Sequence, residues 1–445
     1  MRRTVLTAAL GRWVDPADAY RAICADSPAA FWLDSGPSAT TGVSYLGLAA
    51  AVTTEFGGPV LDWLREQLAS TTDVDDVPPG FGLGWVGWLG YELRGETMGT
   101  TVTRRSRYPD AAWMFIDRCL AFDHSTREVT VMALDDVDAY RAQVLAQLHQ
   151  QVEPVETSPP ETSPTLTPTW AYTDSEYLDM IAACQAAIVE GDAYQLCLTT
   201  EASVDSSPDP VRTYLALRAS SPTHHGALLR AAGVSVLSSS PEQFLTVSPE
   251  GIVTTKPIKG TRPRGTTARL DDELRDELES SDKERAENLM IVDLMRNDIG
   301  RISTVGSVEV TSLLAVESYA QVHQLVSTVR GRLADGLTPV DAIEASFPAG
   351  SMTGAPKRSA TLLLDSIEHR ARGIYSGAFG YVSLDGAVDL AMVIRTIIID
   401  KEGSTVGTGG GITALSVPVE ELAEARLKAA ALLAVLGAGD TPTVR

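Results

Sequence analysis

Thr255-Lys256-Pro257-Ile258-Lys259-Gly260-Thr261-Arg262-Pro263-Arg264-Gly265 is the stretch around which the rest of the chain reads as organised. Its two prolines fix φ, and its two glycines permit backbone angles closed to other residues. Ile252 and Val253 lead in with strand character. The spacing therefore predicts a strand running into a rigid, sharply turned loop. Four cationic side chains crowd it, in a chain whose overall charge is strongly negative. Lys259 has a hydrophobic shoulder in Ile258 and an open backbone at Gly260. A lysine becomes a nucleophile when desolvation or a neighbouring cation lowers its pKa from about 10.4. Lys256, Arg262 and Arg264 are candidates to supply those cations. The same run also fits a solvated basic loop.

Working outward, 445 residues with 44% hydrophobic and 21% charged residues suit a soluble globular protein with a substantial core. No run of 18 apolar residues offers a membrane span. Met1-Arg2-Arg3 soon meets Gly11-Arg12 and Asp15, which makes a poor signal peptide. Cys24, Cys119, Cys184 and Cys197 are scattered without a CxxC pair, as expected of buried thiols in the cytosol. A formal net charge of −22 argues against nonspecific nucleic-acid binding. It also means that an anionic substrate needs locally concentrated positive charge, or a metal ion.

Residues 1–151 read as mixed α/β. Strands are expected over 31–35 and 129–133, and helices over 59–68 and 138–148. Gly82-Leu83-Gly84-Trp85-Val86-Gly87 matches GxGxxG, but an acidic, proline-containing run precedes it instead of a strand. Its glycines are expected to let a Trp-rich strand pack closely. Residues 152–168, rich in Pro, Ser, Thr and Glu, read as a linker or exposed loop, and 169–437 as the catalytic region. In that region a helix is expected over 177–190, strands over 194–199 and 234–238, and a helix over 283–294. A hairpin turning at Asp385-Gly386 follows, then a last helix from about Val419. The irregular mixture of strands and helices argues for α+β.

Glu284 and Glu287 are three apart on one expected helix, and Glu421 and Glu424 repeat that spacing on the last helix. Such pairs are common on solvated helices. Clustered with no histidine or cysteine, however, they suit Mg²⁺, a hard ion that prefers oxygen. Glycine-rich loops at 350–354 and 407–411 can present backbone N–H groups to an anion, and neither matches GxxxxGK[ST]. Arg395, in Val393-Ile394-Arg395-Thr396, reads as a cation in a β-branched strand, needing a substrate carboxylate or a buried acid as partner.

The runs PIKGTRPRG (257–265), AENLMIVDLMRNDIGR (286–301), FPAGSMTGAPK (347–357), YSGAFGYVSLDG (375–386), VIRT (393–396) and GGGIT (409–413) closely resemble the chorismate-utilising enzymes. That family holds anthranilate synthase component I, aminodeoxychorismate synthase component I, isochorismate synthase and salicylate synthase. The resemblance covers about residues 170–435. Weaker likenesses at 33–35, 87–91 and 115–118 extend it to the N-terminal portion of amidotransferase-linked members. It implies an α+β fold in which two large sheets form a sandwich flanked by helices. It also implies that the substrate is chorismate, a dianion bound with Mg²⁺ through Glu284, Glu287, Glu421 and Glu424.

Two positions divide the family. The water-activating lysine of the isochorismate and salicylate enzymes corresponds to Gln195 here, which cannot act as a base. The PIxGT motif usually carries alanine in anthranilate synthases and lysine in aminodeoxychorismate synthases, and here it carries Lys259. The resemblance then implies attack of Lys259 at C2 of chorismate while the C4 hydroxyl leaves, with Glu242 as general acid. Ammonia next attacks C4 and expels the lysine, giving 4-amino-4-deoxychorismate for para-aminobenzoate and folate. Such an acid must be protonated at working pH, so burial is expected to raise the Glu242 pKa. Arg395 and Tyr375 are implied to bind anionic groups, with Gly260, Thr261, His323, Gly410, Gly411 and Lys428 also lining the site. No cysteine sits in a GxCxG setting, so a separate glutaminase subunit is expected to supply the ammonia. Anthranilate synthase component I is the alternative. Isochorismate or salicylate synthase and a catalytically silent chorismate-binding subunit stand behind it.

Overall fold

The computed structural model describes residues 3–70, 74–75, 77–149, 166–319 and 322–439. Residues 150–165, most of the expected linker, lie outside them. Two large antiparallel sheets pack into a sandwich with helices outside, so the expected α+β class is correct.

The larger sheet has 12 described strands. Its path runs from Thr169–Trp170 through Gln195–Val204, Gly403–Ile412, Thr396–Asp400, Val234–Ser240 and His225–Ala231. It then continues through Ala30–Asp34, Val43–Leu48, Arg118–Asp123 and Glu128–Ala133 to Leu6–Ala9. The smaller has 10, running from Ile258–Pro263 through Val322–Arg332, Ile252–Thr255, Gln243–Val247 and Val388–Met392. Ala378–Ser383, Gly84–Leu89, Ala111–Ile116 and Ala51–Thr53 complete that path. Strands from before and after the 152–168 run therefore lie side by side in both sheets.

Period-two alternation divides each strand of the larger sheet between two cores. Phe31, Leu229, Val236 and Ile398 face the layer between the sheets, where Trp88, Trp113, Phe244 and Phe379 are also buried. Their neighbours Trp32, Leu228, Leu237 and Ile397 face outward, under helices that include Pro16–Ile23 and Pro210–Ser220. The GxGxxG glycines serve packing, as expected: Gly84–Leu89 is a fully buried strand, and a side chain at Gly87 would overlap the backbone of Ala112.

Three local expectations change. Residues 258–263 are a bulged edge strand instead of a turned loop, with Gly260 at φ +80° between the Ile258↔Val326 and Thr261↔Gln324 pairs. Prolines at 257 and 263 fit an edge, where an absent N–H costs no ladder bond. Residues 407–411 are likewise no loop but the middle of the strand Gly403–Ile412, paired residue for residue with Gln195–Val204. Arg395 lies outside any strand. It occupies a positive-φ turn (φ +51°) in the segment that carries the chain from Val388–Met392 in one sheet to Thr396–Asp400 in the other.

Candidate active site

The strand Ile258–Pro263 from the smaller sheet and Gly407–Gly411 from the larger close on a cavity of about 480 Å³. Two helices aim their first turns into it. Asp282–Gly300 begins at Ser281, whose hydroxyl accepts from the Glu284 N–H, and Pro418–Val435 starts on a proline. Glu284 and Glu287 enter from one, Glu421 and Glu424 from the other, so the four carboxylates line one space. Partial positive charge at helix N-termini favours acids there.

The glycines are spatial requirements. A methyl at Gly407 would overlap the buried Tyr375 ring, and one at Gly411 would meet the Gln195 amide with Lys259 Nζ at 3.4 Å. Gln195 is itself buried behind Gly411 with its Oε1 unpartnered.

Lys259 is half-buried, and its Nζ lies 3.7 Å from Glu287 Oε2. The neighbouring cations do not pile charge onto it, contrary to the sequence expectation. Lys256 faces Glu317 at 3.7 Å, Arg262 is held by Glu277 and Glu284, and Arg264 by Asp271 at 2.7 Å. Glu242 is 8% exposed, and burial pushes its carboxyl up to about 7, although the Ser351 hydroxyl and the Lys259 charge pull the other way. Glu287 is also raised, by burial first, against the lowering fields of Lys259 and Lys283.

Arg395 reaches the cavity and donates from Nη1 to the Lys428 carbonyl at 3.1 Å. Lys428 donates to the Gly409 carbonyl at 3.0 Å and pairs with Glu424 at 2.7 Å. Tyr375, Gly260, Thr261, Gly410 and Gly411 also line it. His323 does not. It is buried beneath the edge strand, bonded to Asp271 at 3.0 Å and Ser318 at 2.7 Å, where it braces the acid that holds Arg264. Sequence reasoning passed over Lys283, Ser351 and Gln324, which all line the cavity. The signal for the first was its place one residue before Glu284 and four before Glu287.

The donor set suits a hard cation: oxygen ligands only, with Gly410 leaving the approach to Glu421 Oε2 clear of a side chain. Among the described residues, no three acids converge closely enough to share one ion as placed. Each of the four instead faces a basic side chain.

The chain belongs to the family of chorismate binding enzymes, whose model matches residues 20–434. It is 46% identical over 385 residues to the aminodeoxychorismate synthase of Streptomyces griseus, a match covering 84% of this chain and 53% of that protein. It is 40% identical over 454 residues to the aminodeoxychorismate synthase of Streptomyces pristinaespiralis, covering 94% and 63%. The chain thus spans between half and two thirds of the length of these curated relatives. Anthranilate synthase component I from Streptococcus pneumoniae TIGR4 shares the fold with a TM-score of 0.75 at 28% identity. That likeness takes in 96% of this chain and 99% of that one. No described helix is long and apolar enough to cross a membrane. The four cysteines are free and buried.

Proposed function

We propose that the chain converts chorismate and ammonia to 4-amino-4-deoxychorismate through a covalent intermediate on Lys259. The two aminodeoxychorismate synthase relatives support the substrate and product. The observation that carries the lysine is its position: Nζ enters the cavity with one ion contact and no hydrogen bond among the described residues, opposite a carboxyl that titrates near neutrality.

In this reading the Lys259 ammonium first gives up one proton to water in the cavity. Nζ bonds to C2, the two conjugated ring double bonds each shift one position, and the C4 hydroxyl leaves as water with the Glu242 proton. Ammonia then bonds to C4, both double bonds shift back, and Lys259 departs as the free amine. Two allylic displacements place nitrogen at C4, where one would leave it at C2. Arg395, Tyr375 and Lys428 hold the anionic groups, as a guanidinium and an ammonium can. Glu284, Glu287, Glu421 and Glu424 would hold Mg²⁺, which would supply positive charge for the ring carboxylate. Ammonia is taken from a glutaminase whose nucleophile is not among these 445 residues.

Incubating the purified chain with chorismate, Mg²⁺ and ammonium and identifying the product by mass and chromatography tests the reading. Without ammonium, a lysine adduct is expected by intact mass, mapping to the Lys259 peptide. Lys259→Ala is expected to lose the C4 amine by orders of magnitude and to form the C2 amine slowly. Near-normal C4 amine from that variant would reduce Lys259 to a binding residue. A C2 amine from the unaltered chain would favour the anthranilate reading suggested by the solved relative.

A further inference from the structure

Three of the bases facing the four carboxylates have other work. Arg262 is shared with Glu277, Lys428 also donates to the Gly409 carbonyl, and Lys259 is the nucleophile proposed above. Lys283 has none. Its Nζ makes one ion contact, 3.7 Å to Glu421 Oε1, and no hydrogen bond among the described residues. Its side chain is 59% exposed, whereas that of Glu421 is 6% exposed. It starts a helix at the cavity mouth, where its flexible four-carbon stem can swing into water.

We propose that Lys283 is a built-in counter-cation that balances the carboxylate cluster when no metal is bound and is displaced when a divalent ion enters, so that it sets the affinity for that ion. The inference rests on the metal reading above. Acids converging from two helix starts repel one another unless positive charge sits among them. Lys283 supplies one unit. A divalent ion supplies two units to the same carboxylates, and with Lys283 already at Glu421 Oε1 an ion entering at Oε2 meets a like charge across one carboxylate. Glu421 is prepared for the exchange: the Ser416 hydroxyl donates to Oε1 at 2.8 Å and keeps the carboxylate oriented without the lysine.

The test is Mn²⁺ binding to the full chain, read as loss of the free-ion paramagnetic resonance signal, with Mg²⁺ as competitor. The unaltered protein is compared with Lys283→Met, Lys283→Arg and Glu421→Gln. Lys283→Met is expected to bind Mn²⁺ about tenfold more tightly or better, because the competing charge is gone. Lys283→Arg should resemble the unaltered chain, and Glu421→Gln should bind more weakly. Unchanged or weaker binding by Lys283→Met, with Glu421→Gln still impaired, overturns the role of Lys283 and leaves the metal reading standing. No Mn²⁺ binding by any of the four proteins overturns both.

Discussion

Burial gives the Glu242 carboxyl a reason to resist ionisation up to near neutral pH. The same burial has a stability consequence with a definite sign. The folded state binds a proton at Glu242 up to about pH 7, while the unfolded chain loses it near 4.5, so stability drains away as pH rises through that window. A shift of this size is worth about 3 kcal/mol above pH 7. Glu242→Gln, which never ionises, is expected to be more stable than the unaltered protein at pH 8, with the difference gone at pH 4.5, and to lose turnover. Urea unfolding at the two pH values checks it, and an equal difference at both would show that the carboxyl does not titrate in this range. Lys259 was legible as a cavity residue because it lies inside a distinctive motif, and Glu242 through the family resemblance. The contacts of Lys283 and His323 were not. Which acid a long side chain meets, Glu421 138 positions away or Asp271 52 away, is decided by helix and strand placement that no local pattern records.

Of the elements with regular apolar spacing, Asp174–Glu190 was readable to within three residues, whereas Asp282–Gly300 runs six residues past its expected end at 294. Gly403–Ile412 was not readable, because glycine erases alternation. Its glycines are there for the Tyr375 ring and the close backbone of Leu198, both supplied from elsewhere. The loop Phe347–Pro356 shows how an element is fixed in place. Lys357, at the start of the helix Lys357–Glu368, donates to Asp298 at 2.6 Å and the Ser346 carbonyl at 2.8 Å, and so clamps the loop to the helix Asp282–Gly300. The pair is nearly closed to water, with side chains 10% and 4% exposed. Lys357→Met leaves Asp298 buried with only the partly exposed Arg301 at 3.2 Å. The expected cost is about 3 kcal/mol, with weaker chorismate binding because Ser351 and Met352 lose their support. Lys357→Met combined with Asp298→Leu is expected to recover most of the stability in urea unfolding but not the binding. A single variant as stable as the unaltered protein would refute the clamp.

At the scale of the whole molecule, the two portions on either side of the 152–168 run interlock. Ala30–Asp34 lies between Val43–Leu48 and His225–Ala231 in one sheet, and Gly84–Leu89 pairs with Ala378–Ser383 in the other. Aromatic contacts cross the same divide: Phe81 meets Tyr381 with ring centroids 5.0 Å apart, and Trp32 meets Tyr214 at 5.2 Å. A composition change along the chain shows where linker-like sequence falls, but strand pairing between residues 200 positions apart leaves no local trace. Removing residues 1–149 would therefore expose two long sheet edges together with Phe379, Leu229 and Val236, apolar groups worth about 1.5–3 kcal/mol each when buried. The remaining stability of a domain is of the order of 5–15 kcal/mol, so a few such losses exceed it. Residues 1–149 and 166–445 produced separately are each expected to be aggregated or to lack cooperative unfolding. Produced together, they are expected to co-purify as one species that unfolds in a single transition. A monomeric 166–445 fragment with a sharp unfolding transition and its own Mn²⁺ binding would show that the catalytic portion is an independent unit, and that the N-terminal strands only cover it.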